Sequence, residues 1–151
     1  MINTIRTDST NRDFIDLVKS LDDYLTVTDG NEHGFYDQYN KLDKIKHVVV
    51  VYENDQPIAC GAMKYFNDQS MEIKRMYTLP VWRGKGIASG VLAELENWAR
   101  ELKYEKCVLE TGKRQTEAVE LYKRRGYKII PNYGQYVGIE NSVCFEKLLQ
   151  V

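Results

Sequence analysis

Cysteine and histidine are scarce in this chain of 151 residues, which holds three of the first and two of the second. Cys60, Cys107 and Cys144 stand far apart and in no metal-ligand spacing. That argues against a disulfide framework or a metal site and predicts three reduced core residues. His33 and His47 form no recognisable arrangement with a cysteine, so a histidine-activated thiol nucleophile is not expected. No apolar run is long enough to span a bilayer, and Met1-Ile2-Asn3-Thr4-Ile5-Arg6 lacks the basic-then-apolar order of a secretion signal. A cytoplasmic protein with no membrane partner is the expectation. An excess of one charge is missing too: a net charge of -1 argues against a protein that holds nucleic acid by its overall field.

What is present is a composition of 43% hydrophobic and 28% charged residues, enough for one sizeable core and too little chain for two ordinary domains. A single domain over residues 1–151 is expected. Thr10 followed by Asp13 reads as a helix start, and Phe14, Leu17, Val18 and Leu21 recur at helical spacing. Residues 22–34 are polar and carry the turn signal Asp29-Gly30-Asn31, so they read as a loop able to serve as a lid. Phe35, Tyr36, Tyr39 and Leu42 suggest a short second helix.

Three β-prone runs follow at 47–53, 57–66 and 69–79, broken by Asn54-Asp55-Gln56 and Asn67-Asp68, which predicts an antiparallel meander. Alternation in the third run places Glu72, Lys74, Met76 and Thr78 on one face and Met71, Ile73, Arg75 and Tyr77 on the other. Charges in a central strand are costly to bury unless they are paired or line a cleft. From Ile87 the positions Val91, Leu92, Leu95, Trp98, Ala99 and Leu102 form a helical stripe, with Glu94, Glu96, Asn97 and Arg100 outside it. A strand at 106–110, a helix at 116–125 stopped by Gly126, and strands at 127–130 and 142–148 complete a mixed α/β sheet with packed helices.

The chemistry-bearing motif is Arg83-Gly84-Lys85-Gly86-Ile87-Ala88, set between a strand and an amphipathic helix. Two glycines let the backbone approach a ligand, and unpaired N–H groups at a helix start suit a pyrophosphate. By itself the motif is weak. The spacing Gly84-x-Gly86-x-x-x-Gly90, with Glu110 some 20 residues on, also admits a dinucleotide fingerprint. Against that reading, Pro80-Val81-Trp82-Arg83 separates strand from glycines, and little chain remains for a doubly wound sheet.

Glu72-Ile73-Lys74-Arg75-Met76-Tyr77, Arg83-x-x-Gly86-x-Ala88, Glu110-Thr111-Gly112, Ala118, Leu121-Tyr122 and Gly126-Tyr127, in this order and spacing, resemble the GNAT superfamily of N-acetyltransferases over residues 48–148. The resemblance implies a mixed, mostly antiparallel central sheet with helices on both faces, splayed at an acetyl-coenzyme A site. It implies that Arg83, Gly84, Lys85, Gly86, Ile87, Ala88 and Ser89 bind the cofactor pyrophosphate through backbone N–H groups. Met76, Tyr77 and Thr78 would pair with the pantetheine arm as a strand does, one N–H polarising the thioester carbonyl. Tyr122 matches the usual general acid, and a phenol with an ordinary pKa of about 10 keeps its proton at neutral pH.

An alkylammonium acceptor must lose a proton before attack, and Glu72 matches a position where some members carry a catalytic carboxylate. It is expected to share a face with Met76 and Thr78, and it could instead pair with Lys74 or Arg75. Where many members place an Asn that contacts the cofactor, this chain has Gln115, which predicts altered geometry of that contact. The expected activity is transfer of acetyl from acetyl-CoA to a primary amine of a small molecule or amino acid, by direct attack and without a metal. A non-catalytic acyl-CoA sensor and a peptide-amine acetyltransferase are the alternatives. Tyr24, Tyr36, Tyr133 and Tyr136 could cup the acceptor, and the resemblance makes a homodimer reasonable.

Overall fold

The computed structural model describes residues 1–29 and 44–149. The expected helix carrying Phe35, Tyr36, Tyr39 and Leu42, the Asp29-Gly30-Asn31 turn and the acceptor role of Tyr36 lie wholly or partly outside those residues. At the centre is a run of four valines at 48–51, all buried. Successive strand side chains point to opposite faces, so a run buried without alternation needs cover on both sides.

Strands β1 (Ile2–Thr7), β2 (His47–Glu53), β3 (Gln56–Asn67), β4 (Ser70–Thr78), β5 (Lys106–Gly112), β6 (Lys128–Ile130) and β7 (Ser142–Leu148) form one sheet in the order β1-β2-β3-β4-β5-β7-β6. All neighbours are antiparallel except β4 and β5. On one face, α1 (Arg12–Asp29) seats Phe14, Leu17 and Val18 against Val48, Val50, Cys60 and Ala62. On the other, α2 (Ile87–Glu101) seats Val91, Leu92, Leu95 and Ala99 against Val49, Val51, Met63 and Ile73. Tyr122 of α3 (Thr116–Arg124) joins that second face. Full burial of each such leucine stabilises by roughly 1.5–3 kcal/mol, enough to fix which side each helix covers.

The meander, the sheet class and the helices on both faces agree with the sequence reading, and the three cysteines are buried and free. Other features differ. The strand Ile2–Thr7 escaped notice because it is an edge strand whose side chains are mostly exposed, so it carries little apolar alternation. Helix α1 runs on to Asp29 where a polar loop was expected, because Leu25 extends the stripe one turn beyond Leu21. Its start is capped by Asn11, whose Oδ1 accepts the Phe14 N–H at 2.9 Å, while Thr10 bonds to Asp8 instead. Glu96, expected to face water, is buried.

Two features of β4 create the site. Its parallel pairing with β5 lasts only from Ser70 opposite Lys106 to Glu72 opposite Val108, after which both strands run on unpaired with each other and a gap opens in the sheet. The second is a bulge. Cys60 faces Tyr77 and Ala62 faces Lys74, so β4 carries one more residue than β3 there, and Arg75 takes a φ of 60°. Gly61 opposite is packed so closely that a Cβ would stand 2.6 Å from both Met76 Sδ and Val91 Cγ1.

The extra residue reverses the alternation. Ala62 and Cys60 belong to the α1 face, so their partners Lys74 and Tyr77 do as well, and Glu72 falls in step with Lys74. Met63 and Ala59 belong to the α2 face with their partners Ile73 and Thr78. Glu72 therefore does not share a face with Met76 and Thr78, as unbroken alternation predicted. It lies on the opposite side of the sheet.

Candidate active site

The loop from β4 to α2 builds an anion cradle out of backbone. After Thr78 the chain makes a short 3-10 turn at Pro80–Trp82, and Gly84 and Gly86 adopt φ of 77° and 80°, a conformation that favours glycine. A Cβ at either would meet nothing within 4 Å, so the glycines are needed for their backbone conformation, and the space beside them is open. Gly86 is the N-cap of α2 without a side-chain cap, and the first N–H to bond within the helix is that of Gly90, to Gly86 O at 3.1 Å. The N–H groups of Ile87, Ala88 and Ser89 thus stand at a positive helix end without intrahelical partners, a fit for a pyrophosphate.

Arg83 braces this loop. Its Nε donates to Thr78 O at 2.9 Å, and its guanidinium carbon lies 5.2 Å from the centre of the Tyr24 ring and 5.6 Å from that of Tyr77. The loop is tied in this way to both β4 and α1. Lys85 does not line the cleft, and its ammonium lies 6.0 Å from the centre of the Trp82 ring.

Across the gap, α3 ends in a Schellman motif that fixes Tyr122. Gly126, at φ 92°, donates to Lys123 O at 3.2 Å, and Tyr127 N–H donates to Tyr122 O at 3.0 Å. The Tyr127 and Phe145 rings pack on the Tyr122 ring at centroid distances of 5.8 and 5.9 Å. Burial, reinforced by the charge of Glu110, raises the Tyr122 phenol well above its ordinary value, so it is a proton carrier at neutral pH. Gln115, the N-cap of α3, is buried in the same wall.

On the α1 face the wall is made by Glu72, Lys74, Glu110 and Tyr136, with Leu21, Tyr24 and Leu25 of α1 beside them. The Tyr133 hydroxyl donates to Glu72 Oε2 at 2.8 Å, and Lys74 Nζ stands 4.0 Å from Glu72 Oε1. Tyr133 packs edge-on against Tyr136 and Phe66. Burial raises the Tyr133 hydroxyl, and the negative charge of Glu72 raises it further, so Tyr133 stays a donor to the carboxylate. Burial lowers the Lys74 ammonium from the usual lysine value, opposed by Glu72 and Glu110.

The two walls enclose one cleft of about 440 Å³. Glu72, Met76, Tyr77, Thr78, Arg83, Gly84, Gly86, Ile87, Ala88, Ser89, Gln115 and Tyr122 all line it; Lys85, expected at the pyrophosphate, and Tyr133, expected to cup the acceptor, do not. Sequence reading marked Leu21 only as core, set Leu25 within a polar loop, and saw Lys74 only as a possible partner of Glu72. No local signal could have linked Tyr133 to Glu72, which are 61 residues apart.

A sequence model of the acetyltransferase (GNAT) family matches residues 14–127. The chain belongs to that family. Among curated GNAT relatives it is 33% identical over 107 residues to "Uncharacterized N-acetyltransferase YjgM" of Escherichia coli, covering 70% of this chain and 64% of that one. It is 27% identical over 137 residues to "IAA acetyltransferase" of Azospirillum brasilense, covering 89% and 90%. N-acetyltransferase YsnE of Bacillus subtilis is matched over 66% of its length, so the chain spans about two-thirds of YjgM and of YsnE.

A Klebsiella pneumoniae structure described as an acyl-CoA N-acyltransferase superposes with a TM-score of 0.83 at 26% identity, covering 99% of both chains. The GNAT fold seen here recurs in an Elizabethkingia anophelis acetyltransferase with acetyl-CoA bound, at TM-score 0.69 and 18% identity, covering 98% of both chains. The dinucleotide reading falls with the topology: a doubly wound fold is a mostly parallel sheet, and here only β4 and β5 pair in parallel. No helix among the described residues is long and apolar enough to cross a membrane.

Proposed function

We propose that this chain, acting as one domain, moves an acetyl group from acetyl-CoA to a primary amine of a small molecule or amino acid, with both substrates bound together. The observation that carries the reading is the cleft through the sheet: the pyrophosphate cradle and Tyr122 lie on the α2 face, and Glu72 lies on the α1 face. When bound, acetyl-CoA supplies the thioester carbonyl. The backbone N–H groups of the cradle hold its pyrophosphate. The free edge of β4 at Met76, Tyr77 and Thr78 pairs with the pantetheine arm, and an N–H there stabilises charge on the carbonyl oxygen. Gln115 offers its amide from the opposite wall.

Glu72 takes a proton from the acceptor ammonium, freeing the nitrogen lone pair to form the new C–N bond. As the C–S bond breaks, Tyr122 gives its proton to the departing thiolate; with the phenol raised above an ordinary thiol pKa of about 8.5 this transfer is uphill, and it is drawn on as the acetylated nitrogen sheds its second proton and Tyr122 is reprotonated. The bulge and the splay leave Glu72 and Tyr122 on opposite faces of the sheet, which supports giving them these two separate roles.

Isothermal titration with acetyl-CoA and with NAD, followed by an amine panel with thiol release as readout, tests the reading. Acetyl-CoA binding and amine-dependent thiol release are expected. Binding of acetyl-CoA with no transfer to any amine would favour the sensor. Tyr122→Phe should lower kcat about 100-fold or more with acetyl-CoA affinity kept; unchanged turnover would remove Tyr122 from the mechanism.

A further inference from the structure

The α1 face of the cleft carries more charge than proton transfer needs. Arg75 is balanced by Asp22 of α1, with Nη1 3.6 Å from Oδ1. Glu72 has its hydrogen bond from Tyr133. Lys74 is different: its side chain is only 9% exposed, yet its ammonium reaches no acceptor at hydrogen-bond distance among the described residues, Glu72 Oε1 being 4.0 Å away. The residue lines the cleft, so the three N–H donors of its ammonium are left to whatever enters. An ammonium on so buried a stem is poorly hydrated, and a bound anion compensates that loss of water.

We propose that the acceptor is an α-amino acid or a close analogue, whose carboxylate is held by Lys74 while its amine is presented to Glu72. This rests on the acetyl-transfer reading and narrows its substrate. Two observations select that chemistry. Lys74 Nζ and Glu72 Oε1 are 4.0 Å apart, so a ligand whose anion and cation lie only a few ångströms apart, as in an α-amino acid, can meet both at once. Register places Glu110 on the same face as Cys144, across the gap from Glu72, so a second carboxylate also faces this half of the cleft. One available cation beside two carboxylates suits a monoanionic carboxylate and disfavours a phosphate dianion.

The test compares kcat/KM for amino acids with that for their decarboxylated counterparts, such as phenylalanine with phenethylamine and leucine with 3-methylbutylamine. Wild type should prefer the amino acids by more than 10-fold. Lys74→Met, which keeps the apolar stem and removes the charge, should shrink that ratio at least 10-fold through the amino-acid KM. Lys74→Arg should retain the preference. Equal or better use of the decarboxylated amines by wild type would overturn the proposal without any variant, so a misfolded Lys74→Met does not shelter it. A ratio that survives in folded Lys74→Met would overturn it too, as would a rise in the acetyl-CoA KM in place of the amino-acid KM. Acetylation of amines without a carboxylate preference would sink this inference alone, whereas no transfer to any amine would sink the acetyl-transfer reading beneath it.

Discussion

Two buried glutamates in this molecule are each met by a lysine and a tyrosine, on opposite faces of the sheet. Glu96 of α2 accepts from the Tyr127 hydroxyl at 2.9 Å and from Lys147 Nζ at 2.9 Å, so both its oxygens are satisfied. Glu72 of β4 accepts from the Tyr133 hydroxyl at 2.8 Å, but its lysine, Lys74, stops at 4.0 Å and lines the cleft. The same three side-chain types thus make a closed cluster in one place and an open one in the other. The closed cluster joins α2, β7 and the end of α3, and once removed from water it has nothing left to offer a ligand. The open one keeps a partly desolvated cation and a positioned carboxylate side by side. The proposed amino-acid acceptor would use both.

That contrast is most directly broken at the two carboxylates. Glu72→Gln should cut kcat about 100-fold or more and remove the acidic limb of the rate–pH profile, with little change in Tm. A profile like wild type would deny Glu72 the role of base. Glu96→Ala leaves Lys147 and Tyr127 without their acceptor and should cost about 3 kcal/mol, seen as a fall of roughly 6–12 °C in Tm, while kcat of the folded enzyme holds. If Glu96→Ala lost activity and kept its Tm, the division between open and closed clusters would be wrong.

Gly61→Ala asks whether the bulge keeps the faces apart. The new Cβ would press on Met76 and Val91, at an expected cost of about 2 kcal/mol, and thermal melting with acetyl-CoA titration should show lower stability and weaker binding together. The smallest effect is expected in alkali. Burial, with the charges of Cys107 and Glu96, raises the Tyr127 hydroxyl well above 10, so the folded chain keeps that proton while the unfolded chain loses it near 10. Its contribution is complete below that pH and is lost as pH rises beyond it. The urea midpoint should fall less between pH 9 and 11 in Tyr127→Phe than in wild type, and equal falls would show that Tyr127 ionises in the folded protein.

The cofactor half was far more legible in the sequence than the acceptor half. The cradle announces itself because its demands are local: glycines for positive φ at 84 and 86, then a helix whose first N–H groups are free by construction. Tyr122 was legible through its spacing to Gly126, and the Schellman motif shows why that spacing matters. Glu72 was picked for the right strand and placed on the wrong face, because alternation assumes an unbroken pleat and Arg75 breaks it. Glu96 was set among the solvent residues of α2, since neither Tyr127 nor Lys147 could be known to fall opposite it.

From sequence alone came the sheet class, most of the helices and the glycine turn before α2, consequences of short-range pattern in which neighbouring residues dictate backbone conformation, while Tyr122 was picked out by its match to a family motif. Tertiary structure alone decided which face each charge occupies, which lysine is satisfied and which is left facing the cleft. Those outcomes depend on one extra residue in the register of β4 and on contacts such as Tyr133 with Glu72, made across 61 residues of chain. A register shift of one residue moves every later side chain through the sheet, and no local pattern records it.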